Sequence, residues 1–348
     1  MIAIRSEIVP PAMDQAAVQK ALEAAVRLEH ATVPVYLTAL YSLVPGRNDE
    51  IAAVLREVVA EEMLHMLLAC NLLNAVGGRI DMRSPSFMAQ YPGPLPGSVE
   101  SGLIVELKRF SLESVQQIFM SIEAPAQLPK SLEPPATGSP SLPADSVVTI
   151  GEFYTKIGEA LKPGFFTGDP AFQLDLSQAG WRFPNLIVPV TNVDSALKAI
   201  DTIVEQGEGN SWTPVDLQGQ LSHYFKFWEI AKGNRLVHST SNPVDFEFSG
   251  QPIPFDQGGV YPIKDNAHSS DYPKGSKARI ISDQFNHNYT LLLGSLNWAV
   301  NGKPDFFSKA MGLMFSLKLL ALELVQIELA PGINAAPTFE HLPTLPEI

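Results

Sequence analysis

The chain has 348 residues, of which 45% are hydrophobic and 18% are charged. This composition supports a buried core and excludes an intrinsically disordered chain. The net charge of −13 comes without any basic run, which argues against partners such as nucleic acid or an anionic membrane surface. The one cysteine, Cys70, excludes a disulfide framework and cysteine-rich metal sites. Any metal would therefore depend on oxygen and nitrogen ligands.

The N-terminal sequence has no basic stretch followed by an apolar segment, so we predict no secretory signal. The apolar runs farther along the chain are too short to span a bilayer. Together with the single cysteine, which suits a reducing compartment, these features lead us to expect a cytoplasmic protein that does not enter a membrane.

Apolar residues recur at helical spacing along two N-terminal segments, which predicts helices at about 13–45 and 49–76. A Pro-Gly pair ends the first segment and a Gly-Gly pair ends the second. Because only about four residues join the two helices, we expect them to form an antiparallel hairpin.

The next part of the chain, 80–192, is irregular and contains a proline-rich stretch of low complexity. We predict a loop-rich insertion here, and not a separate domain. Within it we expect a short helix from Ser111 to Phe119, a second helix over the sequence TIGEFYTKIGEALK, and a short strand at 186–190.

A second hairpin is predicted from helices at about 194–208 and 214–232. Asp194 is the predicted N-cap of the first of these helices. Thr213 and Pro214, a capping residue followed by a proline, are predicted to begin the second. Since the connecting loop is short, the two helices should again be antiparallel.

Beyond the second hairpin, a loop-rich segment leads to two more apolar helices at about 280–300 and 305–329. Two hairpins separated by a long crossover are typical of a ferritin-like four-helix bundle. We therefore predict an all-α fold with an antiparallel bundle of this kind in residues 1–236. The loop-rich segment and the C-terminal helical pair, 237–348, should pack on that bundle.

Acidic and histidine side chains on the first hairpin have the spacing of metal ligands. The sequence EEMLH places Glu62 and His65 three residues apart on one face of a helix. Glu29 lies on the apolar stripe of the preceding helix, between Val26 and Val33, where a carboxylate is costly to bury without a cation. Glu29 and Glu62 are separated from the connecting loop by nearly the same number of helical residues. They therefore lie at nearly the same height along the axis of the hairpin. The hairpin therefore predicts a metal site.

The second hairpin repeats this pattern less completely, with Glu205 and Glu208 on one helix and Gln220 and His223 on the other. Glu205 matches the predicted height of the site better than Glu208, which lies at a glycine-flanked helix end. Dimetal carboxylate bundles use a Glu from each of two helices and a Glu-x-x-His from each of the other two. Gln220 stands where an acid is expected, and an amide binds divalent metal more weakly. Both a dinuclear and a mononuclear site remain open.

Two tyrosines are candidates for an oxidisable or hydrogen-bonding group beside the metal. Tyr36 is seven residues after Glu29 and therefore close to the same helical face. Tyr224 directly follows His223. Packing in the hydrophobic core is the alternative interpretation of both residues.

Several motifs, in this order along the chain, resemble the ferritin-like domain of the iminophenyl-pyruvate dimer synthase family: LEHATVPVYLTALYS, EVVAEEMLHM, FFTGDPAFQ, IVEQGEG and SHYFKF. The resemblance extends over about residues 15–235, and the C-terminal pair and the closing APTFE are similar to stand-alone bacterial members. It implies an iron-binding bundle, with the oxidative coupling of two imine-bearing molecules derived from amino acids as its activity. On the matching positions it implies these ligands: Glu29, Glu62, His65, Glu205 or Glu208 or both, and His223.

The leading functional prediction is a non-haem iron oxidoreductase that activates oxygen or peroxide and acts on a small organic substrate, with manganese as the alternative metal. A non-catalytic binding or structural protein, whose site is empty or holds a structural metal, is the alternative. Bulk iron storage is disfavoured because ferritin-type shells are built from compact chains without a long insertion. Assembly as a homo-oligomer remains open.

Overall fold

The computed structural model describes most of the chain, and over this part the fold is all-α with a few short strands. The described residues are 4–10, 12–97, 103–132, 147–177, 186–209, 213–216, 219–242 and 244–342. Within these ranges no helix is both long and apolar enough to cross a membrane.

Eight helices make up the described part of the fold. They are α1 (Gln15–Ser42), α2 (Asp49–Ala75), α3 (Leu112–Ser114, continued by a π-helical turn Val115–Phe119 and by Met120–Ile122), α4 (Ile150–Ala160), α5 (Val193–Gly207), α6 (His223–Lys232), α7 (Lys277–Val300) and α8 (Phe306–Leu324).

Short strands pair at the periphery of these helices, each pair being antiparallel. The pairs are β1 (Ile4–Arg5) with β4 (Val147–Val148), β2 (Gly93–Pro94) with β3 (Ile104–Val105), β5 (Val237–His238) with β6 (Phe246–Glu247), and β7 (Glu328–Ala330) with β8 (Ile333–Asn334).

The predicted N-terminal hairpin is present, and α1 and α2 pack against each other along their lengths. Asp14 caps α1, because its side chain accepts a hydrogen bond from the Ala17 amide at 2.9 Å. Gly46 supplies the positive φ of the connecting turn. Both helices bury residues around most of their circumference, since other helices cover the faces that the hairpin itself leaves open.

The insertion contributes two helices that belong to the core of the bundle. α3 packs against α6, and α4 packs against α5 and α1. α4 begins with a capping box in which Thr149 and Glu152 satisfy each other's backbone amides. The helix predicted from Ser111 to Phe119 is present and continues to Ile122. Most of the proline-rich stretch, 133–146, lies outside the described residues.

The predicted N-cap of α5, the predicted strand at 186–190 and the predicted end of the last helix are wrong. Asn192, not Asp194, caps α5, because its side chain forms a capping box with Ser195. The predicted strand at 186–190 is irregular: the Ile187 carbonyl accepts a hydrogen bond from the Leu176 amide, but no ladder follows. The last helix ends at Leu324, and the strand pair β7–β8 follows it.

The helix predicted from 214 begins only at His223. Val215 and Leu221 form an antiparallel bridge across a tight turn. Gly219 has a φ of +77°, and the Asp216 backbone and side chain accept hydrogen bonds from the amides of residues 219 and 220. Because this turn uses the backbone groups that a helix would need, the helix starts after it.

The C-terminal pair α7–α8 packs on the first hairpin, as predicted. The Asn74 side chain donates to the Val300 carbonyl at 2.6 Å. His30 Nε2 lies 2.9 Å from the Tyr289 hydroxyl, so α1 and α7 share a buried polar contact. These contacts attach the C-terminal segment to α1 and α2.

Candidate metal centre

Glu29 on α1 and Glu62 and His65 on α2 lie together inside the first hairpin, where their register predicted them. They are 5%, 2% and 1% exposed, respectively. His65 Nδ1 lies 3.8 Å from Glu29 Oε2 and 3.9 Å from Glu62 Oε1. These distances are too long for hydrogen bonds. They leave room for a metal ion that both carboxylates and the imidazole could reach.

His223, the first residue of α6, brings a second imidazole to this cluster. Its Nδ1 lies 2.8 Å from Glu62 Oε1 and 3.5 Å from Glu123 Oε2. The rings of His223 and His65 stack with their centroids 5.4 Å apart. His223 Nδ1 is buried and has no hydrogen-bond partner, although Glu62 Oε1 lies close to it. An orphaned buried nitrogen among carboxylates has the position expected of a metal ligand.

Glu123 is a member of the cluster that the sequence interpretation missed. It caps the C-terminal end of α3, is 4% exposed, and accepts a hydrogen bond from the Tyr36 hydroxyl. Only helical spacing indicates in the sequence that Glu123 faces inward: it follows Phe119 by four residues and therefore lies on the same apolar face of the helix. The π-helical turn in α3 changes the register by one residue, which a regular helical pattern does not reveal.

Glu208, and not Glu205, lies at the cavity beside these residues. Its Oε1 accepts a hydrogen bond from the Gly151 amide at 2.7 Å, and its Oε2 accepts one from Thr149 Oγ1 at 3.1 Å. A Cβ atom at position 151 would come within 2.6 Å of Glu208 Oε2, so glycine is required for this approach. Glu205 is half-buried and does not line the cavity. The predicted preference for Glu205 assumes a helix starting at 214, whereas α6 begins at His223, so the matching height lies at Glu208.

Gln220 and Tyr224 do not reach the cluster. Gln220 is exposed in the turn before α6, where its backbone N–H donates to Asp216 Oδ1 at 2.8 Å. The prediction that Gln220 takes the place of a ligand acid is therefore wrong. Tyr224 packs against the rings of Phe225 and Trp228, because adjacent residues of a helix point in different directions.

Two other tyrosines hydrogen-bond directly to acids of the cluster. Tyr36, one of the predicted candidates, donates to Glu123 Oε1. Tyr154 on α4, which the sequence interpretation missed, donates to Glu29 Oε1 at 2.6 Å. Each tyrosine therefore orients one carboxylate from the side away from the histidines.

The electrostatics of the cluster favour a bound cation. Burial, followed by the proximity of Glu62, raises the pKa of Glu29 well above its usual range. Burial also raises the pKa of Glu208 to about 8 and lowers the pKa of His65 to about 4. Burial opposes the charge of His223, but the surrounding carboxylates outweigh it and raise the pKa of His223 well above its usual value.

Within the described parts of the chain, no lysine or arginine forms an ion pair with the four acids that surround the cavity: Glu29, Glu62, Glu123 and Glu208. His223, whose pKa is raised, is a cationic partner for only some of these acids, and buried charge that lacks a partner is strongly unfavourable. Four carboxylates and two imidazoles are the donor set of dimetal carboxylate bundles. Ligand atoms of Glu62, His65 and His223 all lie within 4.8 Å of one another. The residues present thus fit a metal centre.

The cavity at this cluster has a volume of about 20 Å³. It is lined by Glu29, Glu62, Glu123 and Glu208 together with apolar residues such as Leu28, Ile122 and Ile203. A cavity of this size holds metal ions or one or two water molecules, whereas pockets that enclose organic ligands measure roughly 300–1,000 Å³. Only ions and small molecules therefore reach the acids directly in this conformation.

Comparison with known proteins agrees with this fold. Residues 22–232 match the sequence profile of a family described as Ferritin-like. The fold is similar to that of a ferritin-like protein from Caulobacter vibrioides, with a TM-score of 0.57 and 22% sequence identity over 89% of this chain and 98% of that one. The predicted all-α, ferritin-like architecture is therefore confirmed.

The chain is also similar to the dichlorochromopyrrolate synthase of Lentzea aerocolonigenes, with 28% identity over 312 residues. The aligned region covers 81% of this chain but only 29% of that enzyme. The chain thus spans well under half the length of the curated relative that it matches. The resemblance carried by the sequence motifs is confirmed by this match and by the family profile.

Proposed function

Because the chain belongs to the ferritin-like family, we propose that its buried acids and histidines hold iron and that the protein is a non-haem iron oxidoreductase of the dimetal carboxylate type. The observation that carries the proposal is the convergence of four carboxylates and two imidazole Nδ1 atoms in one buried cluster. Carboxylate and imidazole ligands suit iron and also manganese, which stays the alternative metal.

The positions of the ligands suggest two halves of the centre. Glu29 and His65 would hold one ion, and Glu123 and His223 would hold the other. Glu62 would serve both, since its Oε1 lies 2.8 Å from His223 Nδ1 and 3.9 Å from His65 Nδ1. In this proposal Glu123 replaces the acid that the sequence lacks at position 220, so a dinuclear site no longer requires an unusual amide ligand.

A bound pair of iron ions would supply electrons for the reduction of oxygen or peroxide. The chain itself would orient the ligands and exclude water. Tyr154 and Thr32 hold Glu29 and Glu62 through hydrogen bonds, each of 2.6 Å. The apolar wall that includes Leu28 and Ile203 keeps the local dielectric low, which strengthens the attraction between carboxylates and cations.

Oxygen or peroxide is the substrate that the cavity volume supports best. The name of the Lentzea relative supports an organic substrate in addition, and we propose oxidative coupling of imine or amino-acid-derived molecules as the reaction class. Such molecules exceed the cavity, so they would react at its mouth or after α4 and α5 move apart. A non-catalytic protein with a structural metal remains the second candidate, since a cavity of this small volume also suits that role.

The iron content of the purified protein tests the proposal. After anaerobic reconstitution with ferrous ion and removal of excess metal, we expect about two irons per chain. Reaction of the reduced protein with oxygen should then consume oxygen in a stopped-flow or electrode assay. Iron that stays near zero after reconstitution would contradict the metal centre, and bound iron that does not react with oxygen or peroxide would favour the structural role.

Glu208 and Glu205 give a paired test of the ligand assignment. Glu208→Gln should weaken iron binding, because it removes a charge from a carboxylate that lines the cavity but keeps an oxygen for the Gly151 amide. Glu205→Gln, three residues earlier on the same helix, should leave the affinity close to that of the wild type. Titration with ferrous ion under anaerobic conditions measures both. Weaker binding by the Glu205 variant alone would reverse the assignment.

A further inference from the structure

Glu61 lies beside Glu62 on α2 and has a different environment. It is 4% exposed but does not line the cavity. Its Oε2 is 3.0 Å from His223 Nε2 and 2.6 Å from the ammonium nitrogen of Lys226. Lys226 is also buried, and its ammonium nitrogen lies 3.1 Å from Glu57 Oε1. A row of three charged side chains therefore approaches His223 through the ring nitrogen that does not face Glu62 and Glu123.

Helices α2 and α6 each supply two of these four side chains, His223 included. Glu57 and Glu61 are one turn apart on α2, and His223 and Lys226 are three residues apart on α6. Each pair lies on one helical face, so the packing of α6 against α2 brings all four side chains together. A buried lysine and a buried glutamate are each costly to desolvate. Their contact with each other and with His223 compensates part of that cost.

The orientation of the His223 ring depends on this row. On the opposite side, Nδ1 lies 2.8 Å from Glu62 Oε1 but forms no hydrogen bond. The contact between Nε2 and Glu61 is the hydrogen bond that holds the ring. Since Glu61 is an acceptor, Nε2 carries a proton, and Nδ1 is the nitrogen left to bind a metal.

His65 offers a comparison within the same centre. Its Nε2 lies 3.0 Å from Gln206 Oε1, so a neutral amide holds this ring in the equivalent way. Both histidines thus turn Nδ1 toward the acids of the cavity and bond through Nε2 to a neighbour. Only His223 is held by a carboxylate that is itself paired with a lysine.

We propose that Glu61 and Lys226 are positioning residues that hold His223 with Nε2 protonated and Nδ1 directed at the metal. Glu61 accepts a hydrogen bond from the imidazole Nε2–H, and Lys226 keeps the Glu61 carboxylate aimed at His223 and away from the cavity. This inference rests on the proposed function, because it assigns the pair to the support of a metal ligand.

Co²⁺ binding to the full chain tests the pair. The double variant Glu61→Leu/Lys226→Met replaces the buried pair with apolar side chains of similar size, a change that buried ion pairs often tolerate without loss of stability. We expect Co²⁺ to bind about 10- to 100-fold more weakly to the half of the centre that contains His223, the range usual for loss of such a partner. Glu57→Gln, which leaves the Glu61–His223 contact in place, is the matched control and should bind Co²⁺ like the wild type.

Proton NMR of the Co²⁺ protein provides a readout that a purely structural ion pair would not change. The wild type should show exchangeable, paramagnetically shifted N–H resonances from both His65 and His223. The His223 resonance should disappear, or exchange rapidly with solvent, in the double variant. Glu61→Gln retains an oxygen acceptor for Nε2 and should restore that resonance together with part of the Co²⁺ affinity.

These measurements distinguish failure of the proposed metal centre from failure of the proposed role of Glu61 and Lys226. A wild-type protein that binds neither Co²⁺ nor Fe²⁺ contradicts the proposed metal centre itself. A wild-type protein that binds Co²⁺, combined with a double variant of equal affinity and unchanged N–H resonances, overturns the role of Glu61 and Lys226 alone.

Discussion

Replacing both Glu62 and His65 with alanine is expected to abolish metal binding and any metal-dependent consumption of oxygen. Glu62 approaches both His65 and His223, so its loss affects both halves of the proposed centre. His65 supplies the one imidazole of its half. The expected iron content of the double variant after anaerobic reconstitution is near zero, measured by elemental analysis.

The double variant should remain folded, which makes the loss of metal interpretable. Thr32, which bonds to Glu62, also has the Glu29 carbonyl at 2.8 Å as an acceptor. Loss of His65 leaves the Gln206 side chain without this partner, a cost of about 1–3 kcal/mol. Removal of a buried acid offsets part of that cost in the metal-free protein. Circular dichroism checks the fold, and Gln220→Ala, an exposed position, is the control. Unchanged iron in the double variant would refute the site.

Glu123→Gln is expected to reduce the iron content from about two to about one per chain. Glu123 Oε2 lies 3.5 Å from His223 Nδ1, so the change should empty the half of the centre that contains His223 and spare the other. Glutamine keeps the shape of the side chain and an oxygen for the Tyr36 hydroxyl, which limits the effect on packing. Elemental analysis and the Co²⁺ titration both measure this outcome.

Thermal unfolding gives an independent measure of the same variant. A bound metal stabilises the wild type by about 4 kcal/mol when its free concentration is ~1,000-fold above the Kd. Glu123→Gln should lose part of this gain, because it should bind one metal ion fewer. Glu113→Gln, an exposed position on the same helix, is the matched control. A variant that retains full iron and full metal-dependent stabilisation would remove Glu123 from the centre.

The insertion between the hairpins belongs to the candidate site. Its helices supply Glu123, which approaches His223, and Tyr154, which orients Glu29. Thr149 and Gly151 at the start of α4 hold Glu208. The two short helices predicted within the loop-rich segment 80–192 therefore contribute side chains to the candidate site.

Local sequence patterns were sufficient for the first hairpin. Helical periodicity and the Pro-Gly and Gly-Gly pairs predicted α1 and α2, because these signals act within a few residues of the backbone they affect. The register of Glu29 and Glu62 followed from the short loop and the constant rise of an α-helix. His65 followed from its spacing to Glu62. These three side chains lie where the sequence placed them.

The other half of the site depended on contacts between distant parts of the chain. The bridge between Val215 and Leu221 delays the start of α6, which brings His223 to the cluster as the first helical residue and leaves Gln220 in solvent. Glu123 enters through the packing of α3 against α6. Helical spacing shows which residues share a face, but only tertiary packing decides which faces meet. The sequence by itself therefore predicted the family, the bundle and one set of candidate ligands, whereas tertiary packing decided that Glu123 joins the candidate centre and that Gln220 does not.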